Sequence, residues 1–102
     1  MSFLPLLFAT YFALIPTVYA SNQMPSVLPA IVQCESGGNQ DAVSATHDYG
    51  LFQLNARWIP VAKKQGLDIV HSAKDNTTFA IYLYQKYGTQ PWNSSKKCWD
   101  TS

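Results

Sequence analysis

Glu35 is the only glutamate in the chain, and it stands where an apolar helical pattern runs into the pair Gly37-Gly38. A carboxylate in the last turn of a helix faces the unpaired carbonyls at the negative end of the helix dipole, which disfavours its ionisation. A carboxyl group kept protonated near neutral pH is what a general acid needs. A placement unfavourable to folding is therefore favourable to proton donation.

The elements that must hold this acid can be read in order. Val27, Ala30, Ile31 and Cys34 follow the i, i+3, i+4, i+7 spacing of one helix face. Ser26 is the expected N-cap, Pro29 falls in the first turn, and Gly37-Gly38 supplies the left-handed stop. Glu35 then rides one position past the buried face, free to point into a cleft. Residues 39–48 are rich in Asn, Asp, Ser and Thr and are expected to form a loop over whatever Glu35 faces. In the short apolar run from Gly50 to Leu54, Gln53 is either solvent-facing or an amide placed for a ligand.

Asn55 is the expected cap of a second helical stretch through Trp58, Ile59, Val61 and Ala62, with Pro60 limiting it and Gly66 ending it. Ser72 to Asp75 matches an acidic capping box and opens the clearest helix. Ala80, Leu83, Tyr84 and Tyr87 line one of its faces, and Gly88 closes it. That helix is expected to pack on the first. Thr89 to Ser102 lacks periodicity and reads as an irregular wrap.

Composition bounds the function. At 102 residues, 47% hydrophobic and 13% charged, the chain fits one small globular domain. A net charge of +1 with dispersed Lys and Arg excludes the basic footprint of a nucleic-acid binder. Two histidines and two distant cysteines match no ligand spacing, so no metal and no cofactor is implied. Residues 1–20 carry no charge and end in Val18-Tyr19-Ala20, a small-x-small pattern. They read as a cleaved signal peptide or as an uncleaved N-terminal membrane anchor, and either delivers the domain outside the cytoplasm. In an exported chain this small, Cys34 and Cys98 are expected to pair; the alternative is one buried and one exposed thiol.

Cys34-Glu35-Ser36-Gly37-Gly38-Asn39, followed by Tyr49-Gly50-Leu51-Phe52-Gln53, resembles the lysozyme-like superfamily. The closest likeness is to the soluble lytic transglycosylase (SLT-type) domain and the resuscitation-promoting-factor domain. In the former, a catalytic glutamate opens an E-S-G-x-N motif and a G-L-x-Q motif follows, its glycine fifteen residues on, the same separation as Glu35 to Gly50. Tyr84 to Cys98 looks like the ending of the latter domain, which also sets a cysteine before its glutamate. Asp48 to Trp58 is similar to the animal lysozyme motif D-Y-G-x-x-Q-I-N-x-x-W, whose aspartate is a second catalytic carboxylate. The chain departs from larger transglycosylases in having no A-Y-N motif; Tyr82, Tyr84 or Trp92 would have to stand in for its tyrosine.

The resemblance implies a mainly α, small lysozyme-like single domain of about three to four helices with an irregular disulfide-tied C-terminal tail. Residues 21–102 would form the transglycosylase domain, acting as a monomer on peptidoglycan glycan strands, secreted, periplasmic or cell-wall associated. It implies cleavage between N-acetylmuramic acid and N-acetylglucosamine, with Glu35 as acid and then base. Asp48 takes part only if the enzyme is a hydrolase, and a non-catalytic glycan-binding module is the competing reading. Ser36 is expected to orient Glu35 by hydrogen bonding, and Gln53 to contact a sugar N-acetyl group or backbone. Asp48, Tyr49, Asn55, Tyr84 and Trp92 complete the expected substrate-binding set, with Phe52 a further candidate for stacking on a sugar.

Overall fold

The computed structural model describes residues 24–102, and the expected leader over residues 1–20 lies outside them. Helix α1 (Val27–Ser36) stops at Gly37, whose left-handed backbone (φ 63°) lets its N–H bond the carbonyls of Val32 and Gln33. The start differs from expectation. Ser26 makes no capping bond because its backbone is already helical; a turn from the Pro25 carbonyl to the Leu28 N–H leads the chain in. The face is also turned from the expected one. Leu28 and Ile31 are fully buried, while Val27, Ala30 and Cys34 pack at the edge of the core.

Strands β1 (Asp48–Tyr49) and β2 (Leu54–Asn55) form an antiparallel hairpin in which Asp48 faces Asn55 and Tyr49 faces Leu54. Val43 adds an isolated bridge to Tyr49. Strands of two residues carry no readable alternation, so this part reads from sequence as loop and apolar run. Asn55 then caps a 3₁₀ turn (Ala56–Trp58), its Oδ1 accepting from the Arg57 N–H at 3.0 Å, and the turn runs into α2 (Ile59–Lys64).

Helix α3 (Ala73–Tyr87) starts as expected, with Ser72 Oγ accepting from the Asp75 N–H at 3.0 Å. The Asp75 carboxylate accepts from the Asp68 N–H, at 2.9 Å, and so ties the incoming chain to the helix. Phe79, Ala80, Ile81 and Leu83 are buried, Tyr84 is half-buried, and Tyr87 is 42% exposed because the helix outruns the core at its end.

The tail is more ordered than an irregular wrap. It winds into a 3₁₀ turn (Gln90–Ser95) and a short helix α4 (Lys96–Trp99). Cys98 is bonded to Cys34, closing a separation of 64 residues. That bond draws α4 onto α1, so the closest backbone neighbours of α1 are α4 and the Gln90–Ser95 turn, with α3 joining it through the shared core instead of the expected direct packing. Trp92, 2% exposed, fills the centre; its ring lies 5.8 Å from Phe52 and its Nε1 donates to the Phe52 carbonyl at 3.0 Å. Burying such rings is worth about 2–3 kcal/mol each and adds to the bridge in holding a tail with little helix propensity of its own. The architecture is mainly α, with four α-helices and one small hairpin among the described residues. None of those helices is long and apolar enough to cross a membrane.

Candidate active site

Glu35 ends α1 half-buried, and its Oε2 accepts a hydrogen bond from Ser95 Oγ at 2.6 Å. Burial raises its proton affinity above the ordinary carboxylate range; the Ser95 hydroxyl pulls the other way, and the negative charge of Asp48 adds to the rise. The direction is the one expected from the helix end, but loss of water around the carboxyl leads.

Asp48, across the site on β1, is treated oppositely. Burial pushes it up, but hydrogen bonds from Ser44, Thr46 and Asn55 together with the charge of Arg57 outweigh that and hold it below its ordinary range. Ser44 Oγ donates at 2.6 Å and Thr46 Oγ1 donates to the same oxygen, Oδ2; Asn55 Nδ2 donates to Oδ1 at 2.9 Å. Both carboxylate oxygens are thus engaged in closing the loop and hairpin.

Ser36, expected to orient Glu35, spends its one proton elsewhere. Its Oγ donates to the Leu51 carbonyl at 2.8 Å and accepts from the Gly38 N–H at 3.1 Å. The serine joins the end of α1 to the hairpin turn, which keeps the two sequence motifs in register. Gln40 completes that joint, its Oε1 accepting from the Leu51 N–H at 3.1 Å and its Nε2 donating to the Val70 carbonyl at 3.2 Å. Gln53 bonds backbone: Nε2 donates to the carbonyls of Ala42 and Gly50, each at 3.1 Å. Its own left-handed backbone (φ 50°) sets that reach.

Against Asp48 lies a cleft of about 180 Å³, lined by Asp48, Gln53, Leu54, Asn55, Arg57, Trp58, Leu83, Pro91 and Trp92. Glu35 is not among its lining residues. It is linked to that wall through Ser95, whose Oγ is also 3.2 Å from the Trp92 carbonyl, and through the charge of Asp48. A second hollow of about 360 Å³ shares Arg57, Trp58 and Pro91 and carries the groove on to Tyr87 and Gln90.

The aromatic expectations are redistributed. Trp92 and Phe52, each 2% exposed, are core and offer no ring face to a sugar; Tyr84 packs against the core and lines neither hollow. Tyr49 is half-buried and its carbonyl accepts from Asn76 Nδ2 at 2.9 Å. The groove instead carries Trp58, with the Arg57 guanidinium 5.3 Å from its centroid, and Tyr87. Sequence reading places Trp58 in the scaffold, because its position in a helical stretch looks like any core aromatic.

Ser95 is the other residue that reading missed. The one available signal is indirect: Ser95 lies three residues before Cys98, whose bonded partner is the neighbour of Glu35. No group of three or more His, Cys, Asp or Glu side chains among the described residues could hold a metal.

A disulfide-stapled helical domain that seats one carboxyl group at a helix end, opposite a hairpin bearing a second, is of the lysozyme-like class. The chain belongs to the transglycosylase SLT domain family, whose model matches residues 15–98. It is accordingly a peptidoglycan-acting domain of the lytic transglycosylase type. No curated protein and no solved structure matches the chain.

Proposed function

We propose that this domain cleaves the β-1,4 bond between N-acetylmuramic acid and N-acetylglucosamine by transglycosylation, with Glu35 as its single acid and base. Glu35 donates its proton to the glycosidic oxygen as the bond from that oxygen to the muramic acid C1 breaks and positive charge develops on the sugar. The resulting carboxylate takes the proton of the same sugar's C6 hydroxyl while that oxygen bonds to C1. The product is a 1,6-anhydro sugar, Glu35 ends protonated, and no water is consumed.

The observation that carries this reading is the contrast between the two carboxylates. Glu35 is half-buried, with its proton affinity raised and one side-chain donor; Asp48 has its proton affinity lowered and protein donors on both oxygens. A carboxylate so engaged is a poor nucleophile. The hydrolase reading, with Asp48 supporting the sugar cation and water finishing the reaction, rests on the presence of Asp48 in the cleft wall. Along the groove, Trp58 supplies a ring for sugar faces and Tyr87 and Gln90 extend the path, while the amide nitrogens of Gln53 and Asn55 in the wall bond the protein itself.

The setting is extracytoplasmic, with residues 1–20 as signal or anchor and residues 21–102 as a monomeric domain on glycan strands. Digestion of purified peptidoglycan, followed by mass spectrometry, tests the reaction. Anhydro-ended fragments are expected from the parent, and none from Glu35→Gln. Reducing ends would establish the hydrolase, and an inactive but folded parent would leave a glycan-binding module.

A further inference from the structure

We infer that Ser95 is a positioning residue for Glu35: its hydroxyl, carried on the disulfide-tied tail, fixes where the carboxyl group points and steadies it each time it gives up a proton. The inference rests on the reading of Glu35 as the acid.

Ser95 Oγ has one proton and two acceptors in reach, Glu35 Oε2 at 2.6 Å and the Trp92 carbonyl at 3.2 Å. The shorter contact, to a group that becomes charged, is the stronger. The other side of the oxygen is occupied by Trp99 Nε1, which donates to it at 3.0 Å. Trp99 is 7% exposed, and its indole N–H is shared between Ser95 Oγ and the Trp92 carbonyl, 3.2 Å away; the nearer contact occupies the serine oxygen as an acceptor and leaves its proton for Glu35.

Both ends of the contact are pinned by one covalent bond. Cys34 precedes Glu35 on α1, and Cys98 lies on α4, directly after the turn that ends at Ser95. The hydroxyl comes from a residue sixty positions away in sequence, yet the bridge leaves it little freedom to withdraw.

A fixed donor suits an acid that must also act as a base. Burial and the Asp48 charge hold the proton on Glu35, whereas a donor aimed at Oε2 favours the carboxylate left after transfer. Among the described residues, Asp48 is the one charged group that bears on Glu35. Lys96 of α4 pairs with Asp100 at 3.6 Å, and Lys97 is exposed.

Because the chain has a single glutamate, labelling glutamate side chains with ¹³C gives one carboxyl resonance whose titration reads Glu35 directly. In Ser95→Ala the midpoint should move upward, and the alkaline limb of the pH–rate profile with it. Turnover should fall by roughly tenfold to a hundredfold with KM little changed. Ser95→Thr should restore both, and Trp99→Phe, which keeps a smaller aromatic ring but removes the N–H, should shift the titration in the same direction by less. Unchanged Glu35 titration in folded Ser95→Ala overturns the inference even if the parent cleaves peptidoglycan. A parent that cleaves nothing yet shows the Ser95-dependent shift overturns the enzymatic reading and upholds the contact.

Discussion

Gly50 lies against Asn76 so closely that a Cβ on the glycine would sit 2.5 Å from Asn76 Nδ2, with Gln40 Nε2 at 2.6 Å on another side. The reason for the contact is what Asn76 does. Fully buried, it accepts from the Phe52 N–H at 3.0 Å and donates to the carbonyls of Tyr49 and Ile69 at 2.9 and 2.8 Å. One side chain of α3 thus satisfies backbone groups of the hairpin turn that water cannot reach. Gly50 leaves room for it and takes a left-handed backbone (φ 78°). Gly50→Ala meets both obstacles and should cost roughly 3 kcal/mol of stability. Urea unfolding measures it. A loss below about 1 kcal/mol would mean that the amides shift aside freely.

What could be read from the chain divides by the range of the interactions. The stop of α1 at Gly37, the caps at Asn55 and Ser72 and the placement of Glu35 in a last helical turn follow from neighbours a few residues apart, and the structure has each of them. The pair Cys34 and Cys98 was legible as well, from the export context. Ser95 on Glu35 and Asn76 on the hairpin turn are set by contacts 60 and 24–27 residues apart, for which a serine or asparagine carries no sequence mark. Asn76 opens an N-x-T triplet; its burial explains the residue by packing, without glycosylation. The burial of the aromatics was not legible either: Trp92 and Phe52 are core while Trp58 lines the groove, and residues so alike in type differ only in how the tail and core pack around them.

Asp48→Asn separates the one-carboxylate route from the hydrolase. The parent charge raises the proton affinity of Glu35, so its removal should lower the Glu35 midpoint and move the alkaline limb of the rate profile to lower pH. Turnover on the acid side of that limb should stay within a few-fold. Asparagine cannot accept at both oxygens, so Ser44, Thr46 and Asn55 lose part of their anchor and the melting temperature should fall. Because Asp48 has a lowered folded value, its contribution to parent stability is present above the ordinary carboxylate range and disappears as pH falls through that value. Near-complete loss of turnover would show that Asp48 takes part in the chemistry.

Opening the Cys34–Cys98 bridge should cost about 4 kcal/mol by loop entropy, since it closes a separation of 64 residues. For a domain of this size that is a large part of the total stability. Denaturant unfolding with and without reductant gives the difference. The tail helix α4 should release before α1 and α3, seen as early hydrogen exchange at residues 96–99. Simultaneous exchange of all three helices would show that the core, not the bridge, holds the tail.

Glu35→Gln should stabilise the protein above the ordinary carboxylate range while reducing cleavage by about 10²- to 10⁴-fold. Glu35 has a raised folded value, so between its unfolded and folded midpoints the native state binds more protons than the unfolded chain. Stability then falls as pH rises through that window and stays lower above it. Below the ordinary carboxylate range both states are protonated and Glu35 costs nothing. Glutamine keeps an acceptor for Ser95 Oγ but never ionises, so its advantage should be absent in acid, open as the unfolded chain loses its proton while the native state still holds it, and level off once the folded Glu35 has released its own. Urea midpoints of parent and variant across that range, read beside the peptidoglycan digest, give both quantities on the same preparations. An advantage independent of pH would mean that Glu35 titrates alike in both states and is not held as a proton donor by its surroundings.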